Sequence, residues 1–371
     1  MPIADSAAPS IDFLVRKDAL TDTRFVEGPS AADTTLATGE VLLAVDSYAM
    51  TANNITYAVL GEMMNYWDFF PAPESWGRIP VWGFAEIVAS AHPDLKVGER
   101  VYGYLPMSTH LRVQADSVTP AGFIDAVAHR AERSLFYNQY TRVAADPSYD
   151  PKREAEQMLL KPLFATAFLI DDFLAAADSH GAEAVILTSA SSKTSFALAH
   201  LLASREGHPV EVIGLTSPGN VAFVEGLGCY DSVVTYNDVA TLAASRPSVI
   251  VDMAGNAAVL GAVHNHFGDQ LKFSLRVGAT HWSEVGGGEP TSGPAPVFFF
   301  APDQLAKRVS DWGMAGFQER LGAAWIGFLT PLGDWIQVER AAGSEATERV
   351  YQETLAGNAR PDRGYILSPV G

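Results

Sequence analysis

The sequence is poor in the residues that would assign it to several common classes of protein. It contains one cysteine, Cys229, among 371 residues, so an internal disulfide and a cysteine-rich zinc site are both excluded. Its 25 lysines and arginines are outnumbered by 43 aspartates and glutamates, which gives a formal net charge of −18. A field of that sign repels nucleic acids and anionic membrane surfaces, and we expect neither as a partner.

Long apolar segments are also missing. No uninterrupted apolar run reaches the roughly 18 residues that a membrane-spanning helix needs. The first residues, MPIADSAAPSIDFLVRKD, contain no apolar core of a signal peptide. Together with the single cysteine, these absences predict a cytoplasmic protein. The remaining composition is typical of a globular chain, with 48% hydrophobic and 18% charged residues, and the length suits two domains.

The first 120 residues or so are predicted to be rich in β-strands. The segments VLLAVDSYAM, VWGFAEIVAS and RVYGYLP are short and are separated by glycine and proline, as in a small barrel. The pattern changes near residue 123. Residues 123–140 are predicted to be helical, and residues 157–181 to form a long buried helix.

From residue 184 onward, strands that are poor in charge alternate with helices. Strands are predicted at AVILTSA, VEVIGLT, SVVTY, SVIVDMAG and LKFSLRVG, with helices at residues 191–204, 221–227, 239–244 and 257–266. This alternation indicates a parallel sheet covered by helices on both faces. Beyond it, the pattern predicts a strand at PVFFFA, helices at residues 303–312, 318–329 and 346–356, and a last strand at GYILS.

Three segments in this order resemble a known superfamily. They are GEVLLAVDSYAMTANNITYAVLG, then GFAEIVASAHPDLKVGERVYGY with its KVGERV turn, and then the series of strands and helices that begins at Val185 and contains VEGLGCYDSVVTY. The chain resembles the zinc-free, quinone-oxidoreductase and enoyl-reductase-like branch of the medium-chain dehydrogenase/reductase superfamily.

The resemblance implies an α/β fold with two domains. A GroES-like β-barrel domain would be formed by residues 1–155 and 332–371, and a Rossmann domain with a doubly wound parallel sheet by residues 156–331. The resemblance also implies an NADP(H) cofactor, a small-molecule substrate bound in the cleft between the domains, and a homodimer. PVFFFA at residues 296–301 is apolar enough to be the edge strand that pairs in such a dimer.

The turn that should bind the cofactor diphosphate departs from the usual pattern. A Rossmann fold has a glycine-rich turn between its first strand and helix, but residues 188–195 read TSASSKTS and contain no glycine. Small side chains still keep the backbone accessible, a serine can cap the helix, and a lysine adds positive charge at its start. The alternative is a plain capped helix with a solvated lysine. The candidate cofactor-binding residues are Ser189, Ser191, Ser192, Lys193 and Thr194.

The loop after the second strand bears on the choice between NAD and NADP. An acidic residue there would bind the ribose 2′-hydroxyl and repel a 2′-phosphate. The loop reads TSPGN and has no acid, so NADP(H) is favoured through Thr216, Ser217 and Asn220. It has no arginine either, and an ordinary Ser-Pro-Gly turn explains the same residues.

Ligands of open parallel sheets bind beyond the carboxyl ends of the strands. Two further groups of residues occupy such positions, after the fourth and the fifth strand. They are Ala254, Gly255 and Asn256, and then Gly278 and His281. His281 is either a proton donor or an ordinary surface histidine.

The candidate active site follows from the resemblance. Where zinc-dependent relatives have their first ligand, this chain reads TANNI, and WGFAE replaces their His-Glu pair, so no metal is expected. Zinc-free relatives need a donor to the enolate that develops during hydride transfer. The candidates are Tyr57 and Asn54, with Tyr66 as the next choice. Each of these tyrosines is alternatively a core residue.

Two further segments leave their role open. The loop that contains Met63, Met64, Tyr66, Trp67, Phe69, Phe70 and Trp76 either lines an apolar pocket or packs domain against domain. Residues 136–140, FYNQY, either bind substrate oxygens or form a structural polar cluster. The function predicted is reduction of an activated C=C bond or quinone by NADPH. The alternative is an NADP(H)-binding module or a non-redox enzyme on the same fold.

Overall fold

The chain divides into two compact units. The computed structural model describes residues 7–206, 210–277, 292–330, 332 and 335–371. The first unit, here the barrel unit, comprises Met1–Leu159 and Gln337–Gly371, and the second, the Rossmann unit, comprises Leu160–Ile336. The barrel unit therefore draws on both ends of the sequence.

The elements before the long helix are mostly strands. They are β1 (Pro9–Arg16), β2 (Ala19–Ser30), β3 (Glu40–Met50), α1 (Ala52–Val59), β4 (Trp76–Gly77), β5 (Pro80–Ser90), β6 (Arg100–Pro106), β7 (His110–Asp116), β8 (Gly122–Asp125), α2 (Leu135–Asn138) and β9 (Gln139–Arg142). The long helix α3 (Glu154–Ala176) follows and contains Pro162.

Strands and helices then alternate, as the sequence predicts. These elements are β10 (Ala184–Leu187), α4 (Lys193–Ala203), β11 (Glu211–Thr216), α5 (Val221–Gly226), β12 (Ser232–Thr235), β13 (Ser248–Asp252), α6 (Ala257–Phe267), β14 (Leu271–Arg276), β15 (Val297–Phe298) and α7 (Ala301–Leu329). The chain returns to the barrel unit with β16 (Gln337–Ala342), α8 (Gly343–Leu355) and β17 (Arg363–Ser368).

The main sheet of the barrel unit closes on itself. Its strand order is β16-β17-β3-β5-β6-β9-β8-β7, and β7 also pairs with β3. Strand β3 has β5 on one edge, while its other edge is shared: Glu40–Ala44 pairs with β7, and Tyr48–Met50 pairs with β17. Closure leaves few unpaired backbone groups. Strands β2, β1 and β4 form a separate three-stranded sheet.

The Rossmann unit contains a six-stranded sheet with the order β12-β11-β10-β13-β14-β15, and every pairing in it is parallel. Counted from β10, this is the order 3-2-1-4-5-6 of dinucleotide-binding folds. All four residues of β10 and all five of β13 are buried, because helices cover both faces of the central strands.

Two helix predictions are wrong. Residues 123–140 contain β8, β9 and the short α2, because Gly122 allows a close approach to Tyr140 that a side chain would block: a Cβ there would lie 2.3 Å from the Tyr140 carbonyl oxygen. The helix expected at residues 239–244 is the 3-10 helix Tyr236–Thr241. The two helices expected at residues 303–312 and 318–329 are confirmed, since both ranges lie within α7 on opposite sides of Gly313, which interrupts the helix with φ 72°.

Within the part of the chain that the structure describes, no helix combines the length and the apolar character needed to cross a membrane.

Candidate functional site

The centre of the Rossmann sheet has the geometry of a ligand site. Strands β11 and β12, which follow β10 in the chain, lie on one side of β10 in the sheet. Strands β13, β14 and β15 lie on its other side. A crevice forms where the strand order reverses in this way, beyond the carboxyl ends of the strands. Residues 188–192 follow β10 at this point and lead into α4.

The turn between β10 and α4 does without glycine because a serine adopts the left-handed conformation. Ser189 has φ 51°, a region that glycine occupies more readily. Its carbonyl accepts a hydrogen bond from the Ser192 N–H at 2.7 Å, and its own N–H donates to the Tyr236 hydroxyl at 3.2 Å. The tight turn that glycine usually permits is therefore present.

The start of α4 is capped by the turn itself. Ser192 is the N-cap, and its hydroxyl accepts from the Ser195 N–H at 3.3 Å. The Ser195 hydroxyl in turn donates to the Thr188 carbonyl at 3.0 Å. Lys193 and Thr194 occupy the first turn of this 11-residue helix, whose positive end favours anions.

The loop after β11 contacts the same turn. The Asn220 amide donates to the Ser191 hydroxyl at 3.1 Å. Thr216 is buried, and its hydroxyl has no hydrogen-bond partner among the described residues, whereas Ser217 is partly exposed. Ser191, Thr216, Ser217 and Asn220 thus lie in two adjoining loops that carry hydroxyl and amide groups.

A buried Thr–Asp pair joins the ends of β10 and β13. The Thr188 hydroxyl donates to Asp252 Oδ1 at 2.7 Å and accepts from the N–H groups of Met253 and Ala254 at 2.9 and 3.0 Å. Asp252 Oδ1 also accepts from the Ala254 and Gly255 N–H groups. Burial raises the pKa of the Asp252 carboxyl, while the Thr188 hydrogen bond opposes that rise. Sequence analysis did not identify this pair, because nothing in one sequence shows that residues 64 positions apart meet.

The remaining Rossmann candidates differ in how the structure accounts for them. Ala254 and Gly255 form the bend after β13, where their N–H groups are bound by Asp252. The Asn256 side chain caps α6 by accepting from the Ala258 and Val259 N–H groups. Gly278 and His281 lie outside the described residues.

The residues present fit a dinucleotide. Gly214, on β11, leaves no room for a side chain, since a Cβ there would lie 2.9 Å from the Tyr230 ring and 3.0 Å from the Ala190 Cβ. The turn after β10 is thereby held close to β11. The Thr216 hydroxyl is a buried polar atom in need of a partner. Hydroxyl, amide and N–H donors with one lysine suit phosphate oxygens.

A second set of candidates lies in the barrel unit, within a cluster of aromatic rings. Tyr57 and Tyr66 are both buried, with ring centroids 4.6 Å apart. The Tyr57 hydroxyl accepts from the Trp82 indole N–H at 3.4 Å. Burial raises the pKa of Tyr57, and the nearby Tyr66 adds to the effect, while hydrogen bonds from Trp82 and Asn53 lower it. Both tyrosines therefore stay protonated at neutral pH and can donate a hydrogen bond.

Three more aromatic residues complete this cluster. Tyr104 lies 5.6 Å from Tyr57, and Tyr137 lies 5.9 Å from Tyr66, between ring centroids. Trp82 packs 5.1 Å from Tyr104. Tyr104 and Trp82 lie on neighbouring strands, β6 and β5, and sequence analysis did not select them. The only sequence signal for them was that apolar and polar residues alternate along these strands. That alternation marks every inward-facing residue, whether or not it belongs to a site.

The Asn54 side chain forms hydrogen bonds with the backbone around it. Its Oδ1 accepts from the Thr51 N–H at 2.7 Å, which is half of a capping box at the start of α1. Its amide nitrogen donates to the Pro80 carbonyl at 2.9 Å. Asn54 is 3% exposed, so both ends of the amide are engaged in the barrel interior.

The aromatic loop packs largely into the barrel unit. Trp67 fits against two glycines: a Cβ on Gly61 or on Gly77 would lie 2.2 or 2.4 Å from the Trp67 indole. Phe69 and Phe70 are also buried, whereas Met63 is 67% exposed. Within the described ranges, no group of three or more His, Cys, Asp or Glu side chains is arranged to hold a metal ion.

The side chains of residues 136–140 have two different sets of partners. The Asn138 and Tyr140 side chains bind the buried Arg130: the guanidinium donates to Asn138 Oδ1 at 2.9 Å and to the Tyr140 hydroxyl at 3.2 Å. Arg130 also pairs with Asp125 at 2.8 Å, and both side chains are 1% exposed. The Tyr137 hydroxyl instead lies 3.4 Å from that of Tyr66.

Solved structures share this fold over nearly the whole chain. CurA from Vibrio vulnificus, solved in complex with NADPH, is 12% identical in sequence with a TM-score of 0.62, and the match covers 97% of this chain and 99% of that chain. The Etr1p complex with NADP and crotonyl-CoA is 14% identical with a TM-score of 0.57, covering 97% and 100%. A mutant form of enoyl thioester reductase from Candida tropicalis is 13% identical with a TM-score of 0.56, covering 97% and 100%.

The strand order, the closed barrel and these likenesses define the class. The chain has the medium-chain dehydrogenase/reductase fold, with a Rossmann domain and a GroES-like barrel domain, which confirms the fold predicted from the sequence. The chain belongs to the family described as "Protein of unknown function (DUF2855)", whose model matches residues 48–360. Among curated protein sequences, none matches this chain.

Proposed function

We propose that the protein is an NADPH-dependent reductase of conjugated carbonyl compounds, acting on the C=C bond of an enone or on a quinone. The observation that carries the proposal is the turn after β10, in which Ser189 adopts the glycine-like conformation and places the start of α4 at the centre of the sheet. CurA was solved with NADPH, and Etr1p with NADP and crotonyl-CoA. Those ligands are consistent with the proposal.

In this proposal, three groups of residues hold the cofactor. Ser189, Ser191, Ser192, Lys193 and Thr194 bind the diphosphate; Thr216, Ser217 and Asn220 bind the 2′-phosphate; and Ala254, Gly255 and Asn256 lie near the nicotinamide ribose. The first group offers N–H and hydroxyl donors at a helix start. The second offers donors without an acid.

When bound, NADPH supplies a hydride to the β carbon of the substrate, the C=C electron pair moves toward the carbonyl oxygen, and a proton then adds at the α carbon. Protein residues need only bind the substrate and stabilise the charge on its oxygen. Tyr57 is the first proposed donor and Tyr66 the second, because both phenols stay protonated. Asn54 is proposed to position α1, given that its amide is engaged by Thr51 and Pro80.

We expect the protein to bind NADPH in the micromolar range and NADH more weakly. Replacing Ser217 with aspartate should raise the Kd for NADPH about tenfold or more, since a carboxylate there repels a 2′-phosphate, and tenfold corresponds to about 1.4 kcal/mol. Ser217→Asn, which has nearly the same shape without the charge, is the matched control. Cofactor fluorescence titration measures all three proteins. Binding of neither nucleotide to the unmodified protein would remove the reductase from consideration.

Replacing Tyr57 with phenylalanine should lower kcat about 100-fold with little change in the Kd for NADPH, because one donor to the developing enolate is lost. Tyr365→Phe is the control: its hydroxyl donates to Glu353 at 2.8 Å, outside the aromatic cluster. NADPH consumption with an enone or quinone gives kcat. Equal rates for Tyr57→Phe and the unmodified protein would exclude Tyr57 as the donor.

A second candidate function is binding of NADP(H) without hydride transfer. The absence of glycine from residues 188–195 favours it, since glycines usually let the backbone approach the diphosphate. NADPH affinity without NADPH consumption, over a screen of enones and quinones, would indicate this function.

We also propose a homodimer through the edge of the Rossmann sheet. Strand β15 lies at that edge, and its residues Val297 and Phe298 are 45% and 49% exposed. Exposed apolar edges promote pairing. Sedimentation velocity distinguishes a dimer from a monomer.

A further inference from the structure

The hydroxyl groups of Tyr66 and Tyr137, here the hydroxyl pair, are poorly satisfied within the protein. Their oxygens are 3.4 Å apart, whereas an O–H···O hydrogen bond is usually about 2.7–2.8 Å long. The nearby Tyr104 is fully buried, and its hydroxyl has no hydrogen-bond partner in the described part of the chain. Buried hydroxyls normally have closer partners than this, so the hydroxyl pair is left with hydrogen-bonding capacity.

Tyr140 shows what a structural tyrosine looks like in the same unit. Its hydroxyl donates to the Tyr104 carbonyl at 2.7 Å and accepts from Arg130 at 3.2 Å. The hydroxyl of Tyr140 is therefore fully used, in contrast to the hydroxyl pair. The difference separates a residue that supports the fold from residues whose polar groups are left for a ligand.

Arg130 holds the Tyr137 side of the hydroxyl pair in place. The buried Arg130 guanidinium donates to the Tyr137 backbone carbonyl at 2.5 Å, which fixes the main chain that carries the Tyr137 ring. Arg130 also lies over the Phe69 and Phe70 rings. Tyr66 and Tyr137 are each 9% exposed, whereas Tyr104 is 0% exposed.

The side chains around the hydroxyl pair are aromatic, and the arginines nearby already form ion pairs. Tyr137 packs against Phe69, Tyr104 and Phe136 at 4.8–5.4 Å between ring centroids. Residues 60–78 and 125–142, which contribute the loop side of the cluster, contain no lysine and four arginines. Each of these arginines pairs with a carboxylate, in the pairs Arg78–Asp12, Arg130–Asp125, Arg133–Asp68 and Arg142–Glu99.

We propose that the hydroxyl pair binds the carbonyl oxygen of an uncharged, aryl-conjugated enone, and that this chain discriminates against acyl thioesters of coenzyme A. A carbonyl oxygen has two lone pairs and can accept from both phenols, and the enolate oxygen that forms from it gains a further lone pair that can accept from Tyr57. Aromatic walls suit a planar aryl group. The phosphates of coenzyme A need cations, and the arginines of these two segments already serve carboxylates. The proposal deepens the proposed function and rests on it.

In the redox step, the hydride adds to the β carbon and breaks the C=C π bond, whose electron pair becomes the enolate that the hydroxyl pair stabilises. The enolate then takes a proton from solvent at the α carbon. One NADPH, one proton and one enone give one NADP⁺ and one saturated ketone. Tyr66 and Tyr137 end the cycle with the protons they began with.

The test compares benzylideneacetone with crotonyl-CoA as substrates of the unmodified protein, Tyr137→Phe and the control Tyr365→Phe. We expect kcat/KM to favour benzylideneacetone at least 100-fold. We expect Tyr137→Phe to lower kcat for it by a factor of about 10–100 while Tyr365→Phe does not. A preference for crotonyl-CoA, or a Tyr137→Phe variant as fast as the unmodified protein, would overturn the proposal.

A binding measurement without cofactor separates this proposal from the proposed function. Trp82 lies 6.2 Å from Tyr137 between ring centroids, so an enone at the hydroxyl pair should quench its fluorescence. Benzylideneacetone is titrated with and without NADPH. Saturable quenching that Tyr137→Phe weakens supports the hydroxyl pair even where NADPH itself fails to bind, an outcome that would overturn only the reductase. Quenching unchanged by Tyr137→Phe would overturn the hydroxyl pair.

Discussion

Replacing Arg130 with methionine should destabilise the barrel unit by roughly 3–5 kcal/mol, the cost of leaving one partner of a buried ion pair behind. Asp125 would keep the N–H groups of Gln114 and Val127 but lose its counter-charge. The carbonyl of Tyr137 and the side chains of Asn138 and Tyr140 would lose a donor as well. Urea denaturation followed by circular dichroism gives the change in the free energy of unfolding.

Two controls show whether the buried charge is the cause. Arg142→Met removes a partly exposed ion pair with Glu99, and should cost about 1 kcal/mol or less. The double variant Arg130→Met with Asp125→Leu should recover much of the loss, because no unpaired charge remains. A double variant no more stable than Arg130→Met would assign the loss to packing.

The same variant should respond to pH in a defined direction. Burial raises the pKa of the Asp125 carboxyl, and Arg130 opposes that rise. Without Arg130 the folded-state pKa lies still further above the unfolded value of about 3.9. The folded state then binds a proton more tightly than the unfolded state, so Arg130→Met regains stability as pH falls through the folded-state pKa. The difference in the free energy of unfolding between Arg130→Met and the unmodified protein should therefore be smaller at mildly acidic pH than at neutral pH.

Replacing Thr188 with valine should lower the free energy of unfolding of the Rossmann unit by roughly 2–4 kcal/mol. Valine matches the shape of threonine, yet it removes the donor to Asp252 and the acceptor of the Met253 and Ala254 N–H groups. The ends of β10 and β13 would no longer be tied together. If the proposed cofactor site is right, the Kd for NADPH should rise as well.

Thr166→Val is the matched control in the same unit. Its hydroxyl donates only to the Pro162 carbonyl, one turn earlier in α3, at 3.3 Å. That contact is weak and partly exposed, so the substitution should change stability by less than about 0.5 kcal/mol. Similar losses for the two valine variants would show that the Thr188–Asp252 pair has no special importance.

The Rossmann strands were predictable because their signal is local. Strands such as β10 and β13 are buried on both faces, so they are uninterrupted apolar runs between polar turns. Residues 123–140 were not predictable in the same way. Their aromatic residues fit a helical pattern, but the pairing of β8 with β9 and the close approach at Gly122 depend on strands elsewhere in the barrel.

The residues of the candidate site also differ in whether the sequence alone predicts their role. The serine-rich turn and the acid-free loop could be read from the sequence, since Rossmann geometry places those residues once the strands are known. The conformation of Ser189 could not, because serine rarely adopts it. The Arg130 network and the hydroxyl pair also required the structure, since they depend on contacts such as Tyr66 with Tyr137, 71 residues apart.

The shared edge of β3 has a consequence for how the protein is made. The half that pairs with β7 can close as soon as residue 116 has left the ribosome, whereas Tyr48–Met50 must wait for Tyr365–Leu367 of β17. At roughly 5–20 residues per second, that wait lasts tens of seconds. The Rossmann unit, complete at Ile336, can fold within it. During translation, one edge of Tyr48–Met50 thus stays unpaired until β17 emerges.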